Sequence, residues 1–339
     1  MTDYRSILPL DAAALLKRFH LRADKSLGQN FLQDASVLEN IARAAEILEE
    51  DCVLEIGPGL GSLTRYLALS AKEVTAVELD PDLLPPLRAV LKPYQNVRVV
   101  QGDILKLAIS EIVNQPDYLV VANIPYNITS AIIRHLLEST PKPRRVVLTI
   151  QKEVAERICA KAGDLSLLAL SVQVYGKPSI AAIIPAESFH PAPKVDSAIL
   201  RIDIYNEPLV PSEMLKTFFK LTKAGFSQKR KTLRNSLSAG LHISPKEAET
   251  LLTSAKIDFM RRAETLSIEE WKELCEVNIV EYGGQRKIYP AVKDPIKQEG
   301  GMLKGGSPSV TESLKQDREK ENERDKSFLN KKDDSHPLP

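Results

Sequence analysis

The chain predicts an α/β protein with a parallel, nucleotide-binding sheet, a small all-helical domain after it and a disordered tail. Three observations carry this expectation. Between Val53 and Asp80, a strand, a glycine turn, a helix and a second strand ending in an acid follow one another. Up to about residue 204, short apolar runs alternate with helical periodicity, the pattern of βα units. After Glu207 only helical patterns continue, and from about Gln285 glycine, proline, serine and mixed charges replace apolar residues. The expected divisions are 1–33, an N-terminal helix and flap; 34–206, the sheet domain; 207–284, the helical domain; and 285–339, the tail.

At 339 residues the chain is long enough for about two cores. A hydrophobic content of 43% and a charged content of 27% are those of a soluble globular protein. The net charge of +1 averages unlike regions, so local charge must be read instead. Cys52, Cys159 and Cys275 lie far apart, which argues against a zinc site or a disulfide framework and for a reducing cytoplasm. The five histidines are scattered too, and no metal is expected. No apolar run is long enough to span a bilayer and the first ten residues have no signal-peptide core, so no membrane partner is expected.

Leu10 to Phe19 is helical, with Lys17 and Arg18 in its last turn. The basic, glycine-hinged stretch Leu21 to Leu32 is either a linker or a flap. As a flap it would turn Arg22 and Lys25 toward phosphate and fold Asn30 and Leu32 over a small molecule. Asp34 is a plausible N-cap for a helix to about Leu48. Val53 to Ile56 then forms a strand, Gly57-Pro58-Gly59-Leu60-Gly61 a tight turn, Ser62 to Leu69 a helix, and Val74 to Val77 a strand ending in Glu78-Leu79-Asp80. An acid at that point suits ribose hydroxyls, which gives the unit a Rossmann-like character. Gly61 follows Gly59 by only two positions, against three in dinucleotide sites, so the loop looks shaped for a ligand without pyrophosphate, such as S-adenosylmethionine. Val97 to Gln101 is the third strand. Asp103 after it either accepts from an adenine amine or belongs to a simple turn.

The apolar run Tyr118 to Ala122 delivers Asn123-Ile124-Pro125-Tyr126 to the carboxyl end of the sheet, where ligands collect. Either this is a plain strand-to-helix loop or it grips a flat base bearing an exocyclic amine. For the second task Asn123 offers a side-chain carbonyl, Ile124 and Pro125 offer main-chain carbonyls, and Tyr126 offers a stacking face. Helices follow at 128–137 and 151–160 and a strand at 144–150; 166–175 reads as a strand or a buried helix, and 180–184 as a strand. Phe189, before stiffening prolines, is either a second stacking face or a core anchor, and Ala198 to Ile204 is the last strand. In the helical region Lys220, Lys223, Lys229, Arg230, Lys231 and Arg234 concentrate positive charge. That is either a solvated face or, beside a base-modifying domain, a phosphate-tracking surface.

Four segments together resemble the ribosomal RNA adenine dimethyltransferases: 27–32, Leu-Gly-Gln-Asn-Phe-Leu; 55–61, Glu-Ile-Gly-Pro-Gly-Leu-Gly; 123–126, Asn-Ile-Pro-Tyr; and 189–197, Phe-His-Pro-Ala-Pro-Lys-Val-Asp-Ser. The likeness covers roughly residues 15 to 280, and the tail departs from it. It implies that Asn30, Leu32, Gly57, Glu78, Asp103 and Asn123 contact S-adenosylmethionine, and that Asn123, Tyr126 and Phe189 handle the target adenine. It implies further that two adjacent adenosines near the 3′ end of small-subunit (16S) rRNA, in a subunit precursor, are the substrate. A monomer with Arg22, Lys25, Lys223, Lys229, Arg230, Lys231 and Arg234 on the RNA surface is expected. The related resistance methylases of large-subunit rRNA, and a non-catalytic assembly factor, are the alternatives.

Overall fold

The computed structural model describes residues 4, 7–113, 115–228 and 230–282. Lys229 and the expected tail lie outside them. The strands are β1 Phe31–Leu32, β2 Cys52–Ile56, β3 Glu73–Glu78, β4 Val97–Gln101, β5 Leu119–Asn123, β6 Arg145–Gln151, β7 Gly176–Ile184, β8 Phe189–His190 and β9 Ser197–Ile204. Seven form one sheet in the order β4-β3-β2-β5-β6-β9-β7. The pairings from β4 through β6 are parallel, and β9 runs antiparallel to both β6 and β7. The chain winds outward from β2 to β4, then returns to place β5 on the other side of β2. That reversal opens a crevice at the carboxyl ends of β2 and β5.

Alternation along the strands sorts their side chains onto two faces. Val53, Leu119, Val121, Val147 and Ile199 belong to a core covered by helices Ala35–Ala45 and Ser62–Ser70. Leu54, Val120, Ala122, Val146, Leu148 and Leu200 belong to the opposite core, which helices Thr129–Glu138, Lys152–Ile158 and Leu167–Gln173 cover. β5 is apolar on both sides because both faces are covered, and Leu119 to Ala122 are fully buried. The second core continues without a break into helices Leu215–Gly225, Leu233–Leu241, Pro245–Ser254 and Ile268–Tyr282, through Phe218, Leu237, Leu251 and Trp271.

Local signals set the helix starts. Asp34 accepts from the main-chain N–H of Ser36 and Val37, and Ser244 with Glu247 forms a reciprocal capping box. The strand reading of 166–175 is corrected: Leu167–Gln173 is a helix, with Ser166 accepting from the N–H of Ala169 at 3.1 Å. Its Leu- and Ala-rich run has the length of a two-turn helix, and Ala169, Leu170 and Val172 bury one side of it. β7 then begins at Gly176, earlier than 180; Pro178 is tolerated because β7 is an edge strand. Among the described residues no helix is long and apolar enough to cross a membrane.

Helices Leu215–Gly225 and Leu233–Leu241 meet backbone to backbone at Gly240, where an added Cβ would lie 2.6 Å from Ala224 Cα. Gly240→Ala is therefore expected to cost about 1–3 kcal/mol of stability through overpacking. A lowered urea midpoint with unchanged binding in the distant cleft would bear this out.

Candidate active site

The crevice is a cleft with about 1040 Å³ of empty volume, open solvent included. Its lining comes mainly from five segments that chain topology brings together: 27–32, the glycine turn with Glu55 and Ser62, the end of β3 at Glu78, the turn after β4 at Asp103, and Asn123 to Tyr126. Six sequence-predicted residues, Asn30, Leu32, Gly57, Glu78, Asp103 and Asn123, all line it, as does Tyr126. Its acidic lining residues are Glu55, Glu78 and Asp103, and no lysine, arginine or histidine lines it. Such a set of acceptors disfavours a pyrophosphate and fits a cationic ligand carrying hydroxyl and amine hydrogens.

The glycine turn is built for close approach. Gly57 and Gly59 take φ values of +67° and +57°, a region that side chains with a Cβ disfavour. A Cβ at Gly59 would press on the Phe31 ring at 3.1 Å, whereas one at Gly57 would meet nothing nearer than the Asn123 carbonyl at 3.8 Å. Gly59 thus packs against the flap, and Gly57 leaves its side of the cleft clear. Glu78 is nearly buried, and its two oxygens accept N–H groups of Gly59 and Asp80, each at 2.9 Å. Burial raises its carboxyl above the ordinary range, against the pull of those two bonds. Asp103 accepts from Leu105 N–H at 3.1 Å through one oxygen, and Lys106 approaches the other at 3.5 Å.

Segment 27–32 lines the cleft and is held at three points. Gln29 donates to Asp80 at 2.6 Å and accepts from Asp24 N–H at 2.8 Å. β1 pairs antiparallel with β8, Phe31 opposite His190 and Leu32 opposite Phe189. The carbonyl of Asn30 accepts from Asn123 Nδ2 at 3.1 Å. That last bond commits the amide nitrogen of Asn123 and leaves its Oδ1 as the acceptor in the cleft. Pro125 turns the chain, and its carbonyl closes the turn by accepting from Ile128 N–H at 3.3 Å. Tyr126 Oη shares a 2.6 Å hydrogen bond with Ser197 Oγ, and burial pushes its phenol up.

Phe189 does not line the cleft. It is 5% exposed, and its ring packs in the apolar cluster with Leu32, Leu38 and Ile184. Arg22, Lys25, Lys223, Arg230 and Lys231 are exposed. Arg234 is instead tied within the chain, bound to Glu249 at 3.2 Å and lying over the Phe259 ring.

Sequence reasoning passed over Glu55 and Gln29. Glu55 is 1% exposed, its Oε2 meets no hydrogen-bond donor, and burial pushes its carboxyl up from 4.5 to about 8; nearby Thr64 offsets only part of this, and Glu78 adds to it. A carboxylate in an apolar strand directly before a glycine turn was the available signal.

The family model of ribosomal RNA adenine dimethylases matches residues 20–278. Ribosomal RNA small subunit methyltransferase A of Dehalococcoides mccartyi (strain CBDB1) is 47% identical over 278 residues, 82% of this chain and 94% of that one. The protein of the same name from Alkaliphilus metalliredigens (strain QYMF) is 40% identical over 277 residues, covering 80% and 96%. Among solved structures, a dimethyladenosine transferase from Plasmodium falciparum superposes with a TM-score of 0.60 at 28% identity, covering 75% of this chain and 98% of that one. The 23S rRNA methyltransferase ErmE gives 0.59 at 31%, covering 73% and 99%. The family model's match to residues 20–278 and this extent of sequence identity converge: the chain belongs to the ribosomal RNA adenine dimethylase family.

Proposed function

We propose that the protein transfers methyl groups from S-adenosylmethionine to N6 of two adjacent adenosines in the 3′-terminal hairpin of 16S rRNA, within a small-subunit precursor. The observation that carries this reading is the pairing, in one acidic cleft, of an Asn123 whose Nδ2 is already committed with a half-buried Tyr126. Relatives at 40–47% identity carry the small-subunit name, which supports that subunit. Likeness to ErmE supports a second reading, large-subunit rRNA as substrate. Labelled-methyl transfer to immature small subunits but not to large-subunit rRNA, with dimethyladenosine found by mass spectrometry, is the expected result; the reverse preference would select the second reading.

The cofactor's residues are Asn30, Leu32, Gly57, Glu78, Asp103 and Asn123. S-adenosylmethionine supplies a sulfonium-bound methyl that is already electrophilic, so the protein's work is placement. Glu78, fixed by two main-chain N–H groups, keeps lone pairs for a ribose diol. Asp103 accepts from the cofactor's adenine amine, and the flap residues Asn30 and Leu32 exclude water. The target adenine leaves its stack and lies on Tyr126. Asn123 Oδ1 and the Ile124 carbonyl accept its two N6 hydrogens, which turns the nitrogen lone pair toward the methyl. No base is needed beforehand, because the N–H becomes acidic only once the nitrogen is alkylated, and the proton then passes to water. After one transfer a single N–H remains, and one of the two acceptors still holds it. Phe189 supplies a second face only if its ring rotates out of its apolar seat. Arg22, Lys25, Lys223, Lys229, Arg230 and Lys231 track phosphates, with Arg234 supporting them through its fixed position.

Three outcomes are expected. Asn123→Ala nearly abolishes methyl transfer while equilibrium binding of cofactor and RNA persists; turnover at the wild-type rate would remove Asn123 from the reaction. Charge reversal at Lys229, Arg230 and Lys231 weakens RNA binding and flattens its dependence on salt, the log–log slope falling by about 0.7–0.9 for each phosphate no longer neutralised. The third outcome concerns pH. Glu55 keeps its proton to about pH 8 in the free protein but titrates near 4.5 when unfolded. Its contribution to stability is therefore full below pH 4.5 and lost as pH rises toward 8. A cation bound beside it favours the ionised form, so cofactor affinity, read by calorimetry, rises with pH until about 8, and Glu55→Gln removes that rise.

A further inference from the structure

Ser197 lies at the first position of β9, fully buried, with Gln151 of β6 and Ile184 of β7 as its register partners on either side. A residue held between two antiparallel neighbours has little freedom, so its Oγ is a fixed point in the sheet. That oxygen stands 2.6 Å from Tyr126 Oη. Tyr126 itself lies at the start of a single turn, Tyr126–Ile128, between β5 and helix Thr129–Glu138, and is half-buried at the cleft. One-turn connections are soft, and a tyrosine so placed would otherwise swing about χ1. A hydrogen bond to the far end of the ring pins its long axis, whichever oxygen donates.

We propose that Ser197 is a positioning residue for methyl transfer, acting by fixing the Tyr126 ring as a rigid platform for the extruded base. The proposal rests on the reading of Tyr126 as that platform. The tether ties the base-holding segment after β5 to β9, two strands away in the sheet and the last strand along the chain. It places no catalytic duty on the Tyr126 hydroxyl beyond this bond. That phenol is neutral at physiological pH, as an ordinary tyrosine is, and burial raises it further, with Ser197 as its partner. A tilted platform would still bind RNA, since phosphate contacts supply most of that affinity. It would fail to hold N6 in line with the methyl, so the loss belongs in kcat and leaves KM for the cofactor alone.

The test is a double-mutant cycle in the full chain, using Ser197→Ala, Tyr126→Phe and both together, with Tyr126→Ala as a control. Methyl transfer to immature small subunits is measured at saturating cofactor and RNA, alongside thermal midpoints. The expected result is a fall in kcat of about tenfold to a hundredfold for each single variant, with KM for the cofactor unchanged. The double variant should be no worse than either single one, because both remove the same bond. Wild-type kcat for Ser197→Ala, with only a lower thermal midpoint, would overturn the proposal. So would losses that multiply in the double variant, because the hydroxyls would then act separately. If Ser197→Ala does not fold, Tyr126→Phe decides alone, and wild-type kcat there overturns the tether. Tyr126→Ala at the wild-type rate would instead remove the platform itself, a failure distinct from that of the tether.

Discussion

A strand with no solvent face fixes the geometry of the cleft. β5 is bonded on one side to β2 and on the other to β6, and both of its faces are covered by helices. Its register against β2 sets Ala122 opposite Ile56, so the glycine turn and the Asn-Ile-Pro-Tyr turn leave the sheet side by side. Neither turn can shift without moving an apolar strand through two packed cores, and interiors at organic-crystal density resist that. The flap closes over this pair and adds the bond from Asn123 to the Asn30 carbonyl. A segment that lines one side of the cleft therefore also orients the Asn123 amide on the other.

Charge is divided to match. The cleft gathers Glu55, Glu78 and Asp103, while Arg22, Lys25, Lys223, Arg230 and Lys231 stand exposed elsewhere on the chain. A near-zero net charge thus conceals an acid-lined cleft and basic groups exposed elsewhere. At the opposite end of the sheet the charges are spent on structure. Arg144 holds Asp51 through two 2.7 Å bonds, and Arg145 and Arg201 share Glu46 and Asp203, which fastens the end of helix Ala35–Ala45 to β6 and β9.

Much of this was legible in the residues. The βα alternation, the acid ending β3 and the Asn123 turn are local patterns, and local patterns survive folding when both faces of a strand are buried. Segment 166–175 was ambiguous because a short apolar run carries no period of its own; the Ser166 cap decided it. The β1 and β8 pairing joins residues more than 150 positions apart, and two-residue strands leave no periodic trace. Glu55 was hidden for a different reason: its altered proton affinity comes from what surrounds it, and no spacing encodes that. Arg234 looked like its basic neighbours until Glu249 and Phe259 were found against it.

The ladder between β1 and β8 is only two residues long on each side. Each hydrogen bond in such a clasp contributes a net of about 0.5–1.5 kcal/mol, so most of what holds it shut is the burial of Leu32 and Phe189, which are 3% and 5% exposed. Because the clasp carries cleft-lining Leu32 on one strand and Phe189 on the other, the rim of the cleft and the apolar seat of Phe189 are fastened at a single seam and would part together.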